Sequence, residues 1–336
     1  MCGIAGFVND MPIDVKCPVL QRMTDMIAHR GPDSEGHYID EHAALGHRRL
    51  SIIDLGGGQQ PIYNEDGSKV ITFNGEIYNY QTLREELIAA GHTFTTKSDT
   101  EVLLHGYEQW GVDLLQRVRG MFTFVIWDKN KQELFGARDH FGIKPFYYAK
   151  MNGTFMYASE IKSLLRHPDF VKELNAEALK PYMTFQYPAI GETFFKGVYK
   201  LPEGHYFTYR DGKMDIHRYY DEDFREGKQK LGELVNSIDQ TVCDSVKAHQ
   251  IADVEVGSFL SSGVDSSYVA AVARPQHTYS IGFGKGTYNE SQQAGELAEL
   301  LKLNNTAESL TDEEAFAAFP RIQWHLDEPD SNPCLL

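Results

Sequence analysis

The segment MFTFVIWDKNKQELFGARDHFGIKPFYYAKMNGTFMYAS, residues 121–159, contains four short runs rich in aromatic and β-branched residues. Such runs favour strands, and the glycines and polar residues between them favour turns. We therefore predict four consecutive strands over MFTFVIWD, ELFGARD, PFYYA and TFMYAS. Strands in this number place the first half of the chain in a sheet-containing class rather than an all-helical one.

Two helical patterns precede these strands. In QTLREELIAAG (81–91) the apolar residues recur at helical spacing, and the pattern ends on a glycine. In SDTEVLLHGYEQWG (98–111) Ser98 and Glu101 have the spacing of a capping box. Helices mixed with many strands indicate a layered α+β domain.

A hairpin is predicted just before the first helix. KVITF (69–73) is followed by Asn74-Gly75, the strongest hairpin dipeptide, and then by EIYNY (76–80).

The pattern changes after about residue 190. Residues 200–224 read as a hairpin leading outward, and REGKQK (225–230) is a polar stretch suited to a connection. Over residues 231–336 helices and strands alternate, which is typical of a parallel sheet with crossover helices.

Composition limits the function classes. The 336 residues exceed the roughly 100 to 200 typical of one domain, so two domains are expected. Apolar residues make up 42% and charged residues 24%, an ordinary globular composition. A net charge of -16 argues against a nucleic-acid partner, because phosphate neutralisation needs clustered Lys and Arg.

Four scattered cysteines suggest neither a disulfide framework nor a zinc site, and they fit a reducing compartment. The longest apolar run, residues 121–127, is far short of the roughly 20 residues of a membrane helix. We also see no signal peptide, and we expect a cytoplasmic protein without a membrane partner. The sequence is silent on oligomeric state, and a homodimer stays open.

Cys2 stands directly behind the initiator methionine in MCGIAGF. Removal of the methionine would leave a free α-amine, of pKa about 7.7 to 8.0, beside a thiol of pKa about 8.5. One residue would then carry both a base and a nucleophile.

Six further motifs follow Cys2 in order: HRGPDSEG (29–36), GHRRLSIID (46–54), GGGQQPI (56–62), NGEIYN (74–79), SDTE (98–101) and RDHFGIKPFYY (138–148). Together with MCGI they resemble the glutaminase domain of glutamine-dependent asparagine synthetases, which are N-terminal-nucleophile amidotransferases. The resemblance implies a four-layer αββα domain over residues 2–190, followed by a connecting hairpin and linker over 191–230.

The resemblance also implies a site that hydrolyses glutamine. Cys2 would attack the side-chain amide with its own α-amine as base, and the Asn74 amide and the Gly75 N–H would stabilise the oxyanion. Arg49 would bind the substrate carboxylate, and Glu76 and Asp99 would bind its ammonium. The implied glutamine-binding set is Arg49, Leu50, Ser51, Ile52, Ile53, Asn74, Gly75, Glu76 and Asp99.

Each of these residues also has a structural interpretation. Asn74-Gly75 alone is the sequence of a type I′ turn, Asp99 alone complements a helix dipole, and Arg49 alone is a solvated arginine. The order of the motifs behind an N-terminal cysteine favours the catalytic interpretation. We assign His29 and Arg30 to a structural loop and leave them out of the site.

In the second half, VEVGSFLSSGVDSS (254–267) is a strand leading into a serine and glycine loop that opens a helix. Such a loop offers backbone N–H groups and hydroxyls to an anion, and it lacks the GK[ST] ending of a Walker A loop. It resembles the SGGxDS pyrophosphate loop of ATP pyrophosphatases, as found in asparagine synthetases, so residues 231–336 would be the N-terminal part of that α/β doubly wound domain. The implied ATP-binding residues are Leu260, Ser261, Gly263, Asp265, Ser266, Ser267, Ile281 and Gly282.

The resemblance further implies Mg²⁺ at Asp265, with ATP and aspartate as substrates beside glutamine. Two departures from the family stand out. Ser262 replaces the first glycine of SGGxDS, and the sequence stops at DEPDSNPCLL (327–336) without the family's second phosphate motif. We therefore expect glutaminase activity and an incomplete synthetase half.

The predicted function is glutamine-dependent asparagine synthesis through a β-aspartyl-AMP intermediate, with ATP converted to AMP and pyrophosphate. Three alternatives remain open. One is a related amidotransferase that amidates a different carboxylate, and another delivers ammonia to a sugar phosphate or phosphoribosyl substrate. The third is a catalytically silent scaffold.

Overall fold

A computed structural model describes residues 1–187, 189–283 and 290–329. These residues form two compact units. The first comprises Met1–Glu222 together with 326–329, and the second comprises Asp223–His325. Residues 330–336, which complete the segment where the sequence stops, lie outside the described part.

The first unit contains twelve strands among its described residues: β1 (Gly3–Val8), β2 (Ser34–Ile39), β3 (Ala43–Arg49), β4 (Ile62–Tyr63), β5 (Lys69–Ile77), β6 (Gly120–Asp128), β7 (Glu133–Arg138), β8 (Tyr147–Met151), β9 (Thr154–Ala158), β10 (Val198–Lys200), β11 (His205–Arg210) and β12 (Lys213–Arg218). Its α-helices are α1 (Ile13–Asp25), α2 (Tyr80–Ala89), α3 (Asp99–Trp110), α4 (Ile161–Leu164) and α5 (Leu179–Phe185).

These strands form two six-stranded antiparallel sheets, in the orders β10-β8-β9-β1-β3-β2 and β12-β11-β7-β6-β5-β4. Buried side chains from both sheets pack together, among them Ile4 and Phe155 from the first sheet and Trp127 and Phe207 from the second. Helices α1 and α4 cover the first sheet, and α3 packs on β5 with α2 beside it. The predicted four-layer αββα architecture is confirmed.

All four strands predicted over residues 121–159 are present as β6 to β9. They do not stay in one sheet, because β6 and β7 belong to the second sheet and β8 and β9 to the first. The chain therefore crosses between the two layers after Arg138, a step that strand propensity does not reveal.

The hairpin predicted at Asn74-Gly75 is wrong. Both residues lie inside the continuous strand β5, where Asn74 pairs with Thr123 and Gly75 with Phe122 on β6. A Cβ atom at position 75 would lie 2.2 Å from the carbonyl oxygen of Met121. The glycine is thus required by the close approach of the neighbouring strand rather than by a turn.

The helix starting at Asp99 is confirmed, but its predicted capping box is only half correct. The Ser98 hydroxyl accepts the N–H of Thr100 at 3.2 Å, as an N-cap does. The Glu101 carboxylate instead accepts from the backbone N–H groups of Thr95 and Thr96, at 2.8 and 2.7 Å. Glu101 therefore fixes the loop that enters α3.

The hairpin predicted to lead outward does not leave the first unit. Its strands β11 and β12 pair with each other, and β11 pairs with β7, so the hairpin extends the second sheet. The first compact unit consequently continues to Glu222, beyond the boundary expected near residue 190.

The second unit has the predicted alternation: α6 (Leu231–His249), β13 (Ser258–Phe259), α7 (Val264–Ala273), β14 (His277–Phe283), α8 (Ser291–Leu301), β15 (Asn304–Leu310) and α9 (Asp312–Leu326). Its three strands are parallel in the order β13-β14-β15. Apolar side chains remain exposed on the edge strand β13 and on α6, including Phe259 and Leu231.

In the part of the chain that the structure describes, no helix combines the length and the apolar character needed to cross a bilayer.

The close approach of β6 to Gly75 predicts a loss of stability when a side chain is added at this position. We expect Gly75→Ala to destabilise the protein by about 1–3 kcal/mol, because the added methyl group overpacks the β5–β6 contact. Gly191→Ala is the matched control, since nothing lies within 4 Å of a Cβ built there. Urea unfolding of both variants measures the difference, and equal stabilities would contradict the prediction.

Candidate active site

Strand β1 lies inside the first sheet, between β9 and β3, and Cys2 directly precedes it. The Cys2 Sγ accepts the backbone N–H of Leu50 at 3.4 Å and donates to the Leu50 carbonyl at 3.6 Å. The residue that follows β3 therefore holds the thiol in place. Burial raises the pKa of the Cys2 thiol, and the Leu50 N–H partly offsets that rise.

A cavity opens at this thiol. Its lining consists of Cys2, Arg49, Leu50, Ile52, Ile53, Gly58, Gln60, Phe73, Gly75, Glu76, Ser98, Asp99 and Thr100. Eight of the predicted site residues are in this set. The other two predicted residues, Ser51 and Asn74, are not in the lining. The backbone N–H of Ser51 donates to the Asp33 carboxylate. Asn74 lies on β5 between the lining residues Phe73 and Gly75.

The Asn74 side chain is buried, with 1% of its surface exposed. Among the described residues neither its Nδ2 nor its Oδ1 has a hydrogen-bond partner. A buried amide without partners is costly, and native structures keep such groups where a ligand completes them. The Asn74 amide therefore retains its full capacity to donate and accept hydrogen bonds.

Arg49 is the last residue of β3, and 5% of its surface is exposed. It donates to the carbonyl oxygens of Ile53 at 3.0 Å and Asp54 at 2.7 Å, and so shapes the loop after β3. A Cβ atom at Gly58 would lie 2.6 Å from this guanidinium, so glycine is needed there to leave room for it. The cavity thus contains one fixed, buried cation.

Two carboxylates face the same cavity. Asp99, the first residue of α3, accepts the backbone N–H of Ile77 at 3.0 Å. Burial raises the pKa of Asp99, and burial together with the neighbouring Asp99 raises the pKa of Glu76. Two such carboxyl groups disfavour double ionisation in the absence of a cation.

Two basic residues that the sequence analysis left out contact the N-terminal segment. The Arg30 Nε donates to the Cys2 carbonyl at 3.0 Å, and the Lys144 ammonium lies 2.9 Å from the Met1 sulfur. Burial lowers the pKa of Lys144, and Glu76 partly offsets that effect. Neither contact has a sequence signature, because the partners are 28 and 143 residues apart.

Arg30 is itself held by a buried ion network. Its guanidinium pairs with Glu160 at 2.9 Å, Glu160 pairs with Lys162 at 2.5 Å, and Lys162 pairs with Asp327 at 2.9 Å. Asp327 is grouped with the first unit. The backbone of the nucleophile is thus connected to residues far apart along the chain.

The predicted phosphate loop lies between β13 and α7 in the second unit. Gly263 is the N-cap of α7, and the hydroxyls of Ser261 and Ser266 are 2.7 Å apart. The Ser280 hydroxyl donates to the Leu260 carbonyl at 2.7 Å, which ties the loop entrance to β14. Asp265 is exposed and lies in the first turn of the helix, whereas Ser261 and Ser262 are half-buried and Leu260 is buried.

This loop fits a phosphate group. A Cβ atom at Gly263 would lie 3.2 Å from the Ser261 hydroxyl, so glycine keeps the cradle open at the helix N-terminus. A single carboxylate, Asp265, fits Mg²⁺ that arrives with phosphates, since Mg²⁺ takes one or two carboxylates and completes its shell with phosphate oxygens and water.

Two stacked antiparallel sheets between helical layers, with a cysteine at the head of an interior strand, define an N-terminal-nucleophile fold. Family comparison agrees, because the glutamine amidotransferase domain model matches residues 1–220 and the asparagine synthase model matches residues 237–335. Glutamine-hydrolyzing asparagine synthetase 1 of Bacillus subtilis is 42% identical over all of this chain and 54% of its own length. Asparagine synthetase 3 of the same organism is 36% identical over 84% of this chain and 48% of its own length.

A putative glutamine-hydrolyzing asparagine synthetase of Methanocaldococcus jannaschii is 32% identical over 98% of this chain and 68% of its own length. The chain belongs to the family of glutamine-hydrolysing asparagine synthetases. It spans about half the length of the Bacillus subtilis relatives that it matches.

The raised pKa of Glu76 predicts a stability cost of the site. The carboxyl binds its proton more tightly in the folded protein than in the unfolded chain, so wild-type stability falls as pH rises above the ordinary Glu pKa. We expect the free energy of unfolding of Glu76→Gln to exceed that of the wild type by on the order of 1 kcal/mol. This difference should grow from about pH 5 to about pH 8.

Urea unfolding at the two pH values measures this gap. The exposed Glu85→Gln is the matched control and should show no such growth. A gap for Glu76→Gln that shrinks with rising pH would contradict the assignment.

Proposed function

We propose that the first unit hydrolyses glutamine to glutamate and ammonia at Cys2. The observation that carries this proposal is the composition of the cavity, which combines a thiol, a buried guanidinium, the buried carboxylate of Asp99 and the half-buried carboxylate of Glu76. An α-amino acid with a side-chain amide has the complementary groups, namely a carboxylate for Arg49, an ammonium for Glu76 and Asp99, and an electrophilic carbon for Cys2.

The proposed reaction starts with removal of Met1, which frees the Cys2 α-amine. This amine takes the thiol proton as the sulfur bonds to the amide carbon, and the carbonyl oxygen becomes an oxyanion. The Asn74 Nδ2 and the Gly75 N–H would donate to that oxyanion. The C–N bond then breaks, and the amine returns the proton to the departing ammonia.

Water completes the cycle. It attacks the thioester through a second oxyanion, the sulfur leaves, and glutamate is released with the thiol reprotonated. Arg30 supports these steps by fixing the Cys2 carbonyl, which limits rotation of the nucleophile.

In the second unit we propose ATP binding by the loop of residues 261–267, with Leu260, Ile281 and Gly282 near the adenosine. The match to the asparagine synthase family and the open cradle at Gly263 support this. The aspartate β-carboxylate would attack the α-phosphate, and ammonia would displace AMP from the aspartyl-adenylate. Mg²⁺ near Asp265 would neutralise the pyrophosphate that leaves.

We propose aspartate as the acceptor of ammonia because the relatives are named asparagine synthetases. The alternative is that a different carboxylate accepts the ammonia. Formation of asparagine, AMP and pyrophosphate from glutamine, aspartate and ATP decides between them. Conversion of another carboxylate to its amide would favour the alternative.

We also propose a cytoplasmic location and a homodimer. The cysteines Cys2, Cys17 and Cys243 are unpaired, which fits a reducing compartment. Analytical ultracentrifugation tests the homodimer.

The decisive test replaces the nucleophile. We expect Cys2→Ala to abolish glutamate release from glutamine, because no other thiol among the described residues lines the cavity, and we expect Cys17→Ala, at an exposed position, to retain it. Mass spectrometry should find the active protein without Met1. Full turnover by a chain that retains Met1 would overturn the role of the α-amine.

The unpartnered amide of Asn74 gives a second test. Asn74→Ala should lower kcat about 10²–10³-fold, because one oxyanion donor is lost, with a smaller change in KM. The folded protein loses no hydrogen bond in this variant. The control Asn175→Ala removes a buried amide that donates to Thr193 and should reduce stability while kcat is kept. An unchanged kcat for Asn74→Ala would exclude the oxyanion role.

A further inference from the structure

Four potential metal ligands meet on the surface of the first unit. Glu65 lies in the turn between β4 and β5, His92 follows α2, and His105 and Glu108 lie one helical turn apart on α3. One ligand atom from each residue lies within 4.8 Å of the other three. None of the four lines the cavity at Cys2.

Both imidazoles direct Nδ1 to the carboxylates. The Nδ1 atom of His105 lies 3.1 Å from the Glu108 carboxylate and 3.5 Å from the Glu65 carboxylate. The Nδ1 atom of His92 lies 3.7 Å from the other oxygen of Glu65. Two nitrogen and two oxygen ligands thus converge from three separate segments.

The opposite nitrogens differ, because the Nε2 of His92 has a hydrogen-bond partner and the buried Nε2 of His105 has none among the described residues. The Nε2 of His92 is 3.2 Å from the Gln109 Oε1, and the Nε2 of His105 is 3.6 Å from the Glu101 carboxylate. Glu101 is fixed in turn by Thr95 and Thr96. The acceptor on the far nitrogen of His92 keeps a proton there and leaves the Nδ1 lone pair for a metal, which is the arrangement of metal-binding histidines. The Nδ1 of His105 donates to Glu108, so a metal that binds this nitrogen would displace its proton.

The charges of the cluster also favour a divalent cation. His105 is buried and is faced by Glu101 and Glu108 on its own helix and by Glu65 from the β4–β5 turn, while Lys69 reaches Glu108 at 3.4 Å. With His105 protonated these groups retain one net negative charge. A divalent cation with neutral imidazoles brings them to neutrality.

We propose that Glu65, His92, His105 and Glu108 form a zinc site. Two imidazole nitrogens and two carboxylate oxygens are ligands that tetrahedral Zn²⁺ accepts. At Zn–ligand distances of about 2.0–2.1 Å tetrahedral ligand atoms lie roughly 3.3 Å apart, so the cluster must contract slightly. Glu65 can supply this movement, because it is exposed in a turn. The ion would clamp that turn and the α2–α3 connection onto the helix that carries Asp99.

Zinc titration of the full chain tests the site. We expect one Zn²⁺ per chain by calorimetry and elemental analysis, no comparable binding of Mg²⁺, and a higher Tm in the presence of Zn²⁺. His92→Gln and Glu65→Gln, both outside the core, should each weaken zinc binding at least tenfold and remove the Tm rise. His42→Gln, a half-exposed histidine paired with Asp10, is the matched control and should behave as the wild type.

Cobalt spectroscopy separates this site from zinc bound at a cysteine. The Co²⁺-loaded protein should show tetrahedral d–d bands without a thiolate-to-metal charge-transfer band. Lack of saturable zinc binding, binding unchanged in both His92→Gln and Glu65→Gln, or a thiolate band would each overturn the proposal. These outcomes are independent of glutamine hydrolysis, which Cys2→Ala tests separately.

Discussion

The paired contacts between the Cys2 sulfur and the backbone of Leu50 determine the geometry of the first unit's site. They join the head of β1 to the residue after β3, two adjacent strands of one sheet. The loop that follows carries Ile52 and Ile53, and Arg49 folds that loop through its carbonyl oxygens. Cys2, the proposed nucleophile, and Arg49, the proposed binding residue for the substrate carboxylate, are therefore positioned by the same pair of strands.

The site is built at a cost to stability. The Asn74 side chain is buried without hydrogen-bond partners among the described residues, burial raises the pKa of Asp99, and burial together with Asp99 raises the pKa of Glu76. A fold optimised only for stability would replace these groups with apolar ones. Their presence around one cavity beside a thiol supports the proposed substrate, which would supply a positive charge for the carboxylates and hydrogen bonds for the amide. The raised pKa values of Glu76 and Asp99 and the unpartnered Asn74 amide therefore support the proposed glutamine hydrolysis.

Sequence patterns were reliable where a local property decided the outcome. Aromatic and β-branched runs gave β6 to β9, and helical spacing gave α2 and α3. Sequence patterns failed where a contact between residues far apart in sequence decided the local structure. Asn74-Gly75 satisfies turn propensity, yet β6 pairs with it and requires the glycine. The sequence assigned Arg30 to a structural role but did not show that its guanidinium contacts the Cys2 carbonyl.

The sequence by itself determined the class of the two parts and the order of the motifs, because these depend on side-chain periodicity and on residue types at fixed spacing. Only the tertiary structure decided which residues share the cavity, that the hairpin of β11 and β12 completes the second sheet, and that Glu65, His92 and α3 meet. The reason is that pKa shifts, orphaned amides and ligand clusters arise from burial and from contacts between residues far apart along the chain. Neither is encoded in any single stretch of sequence.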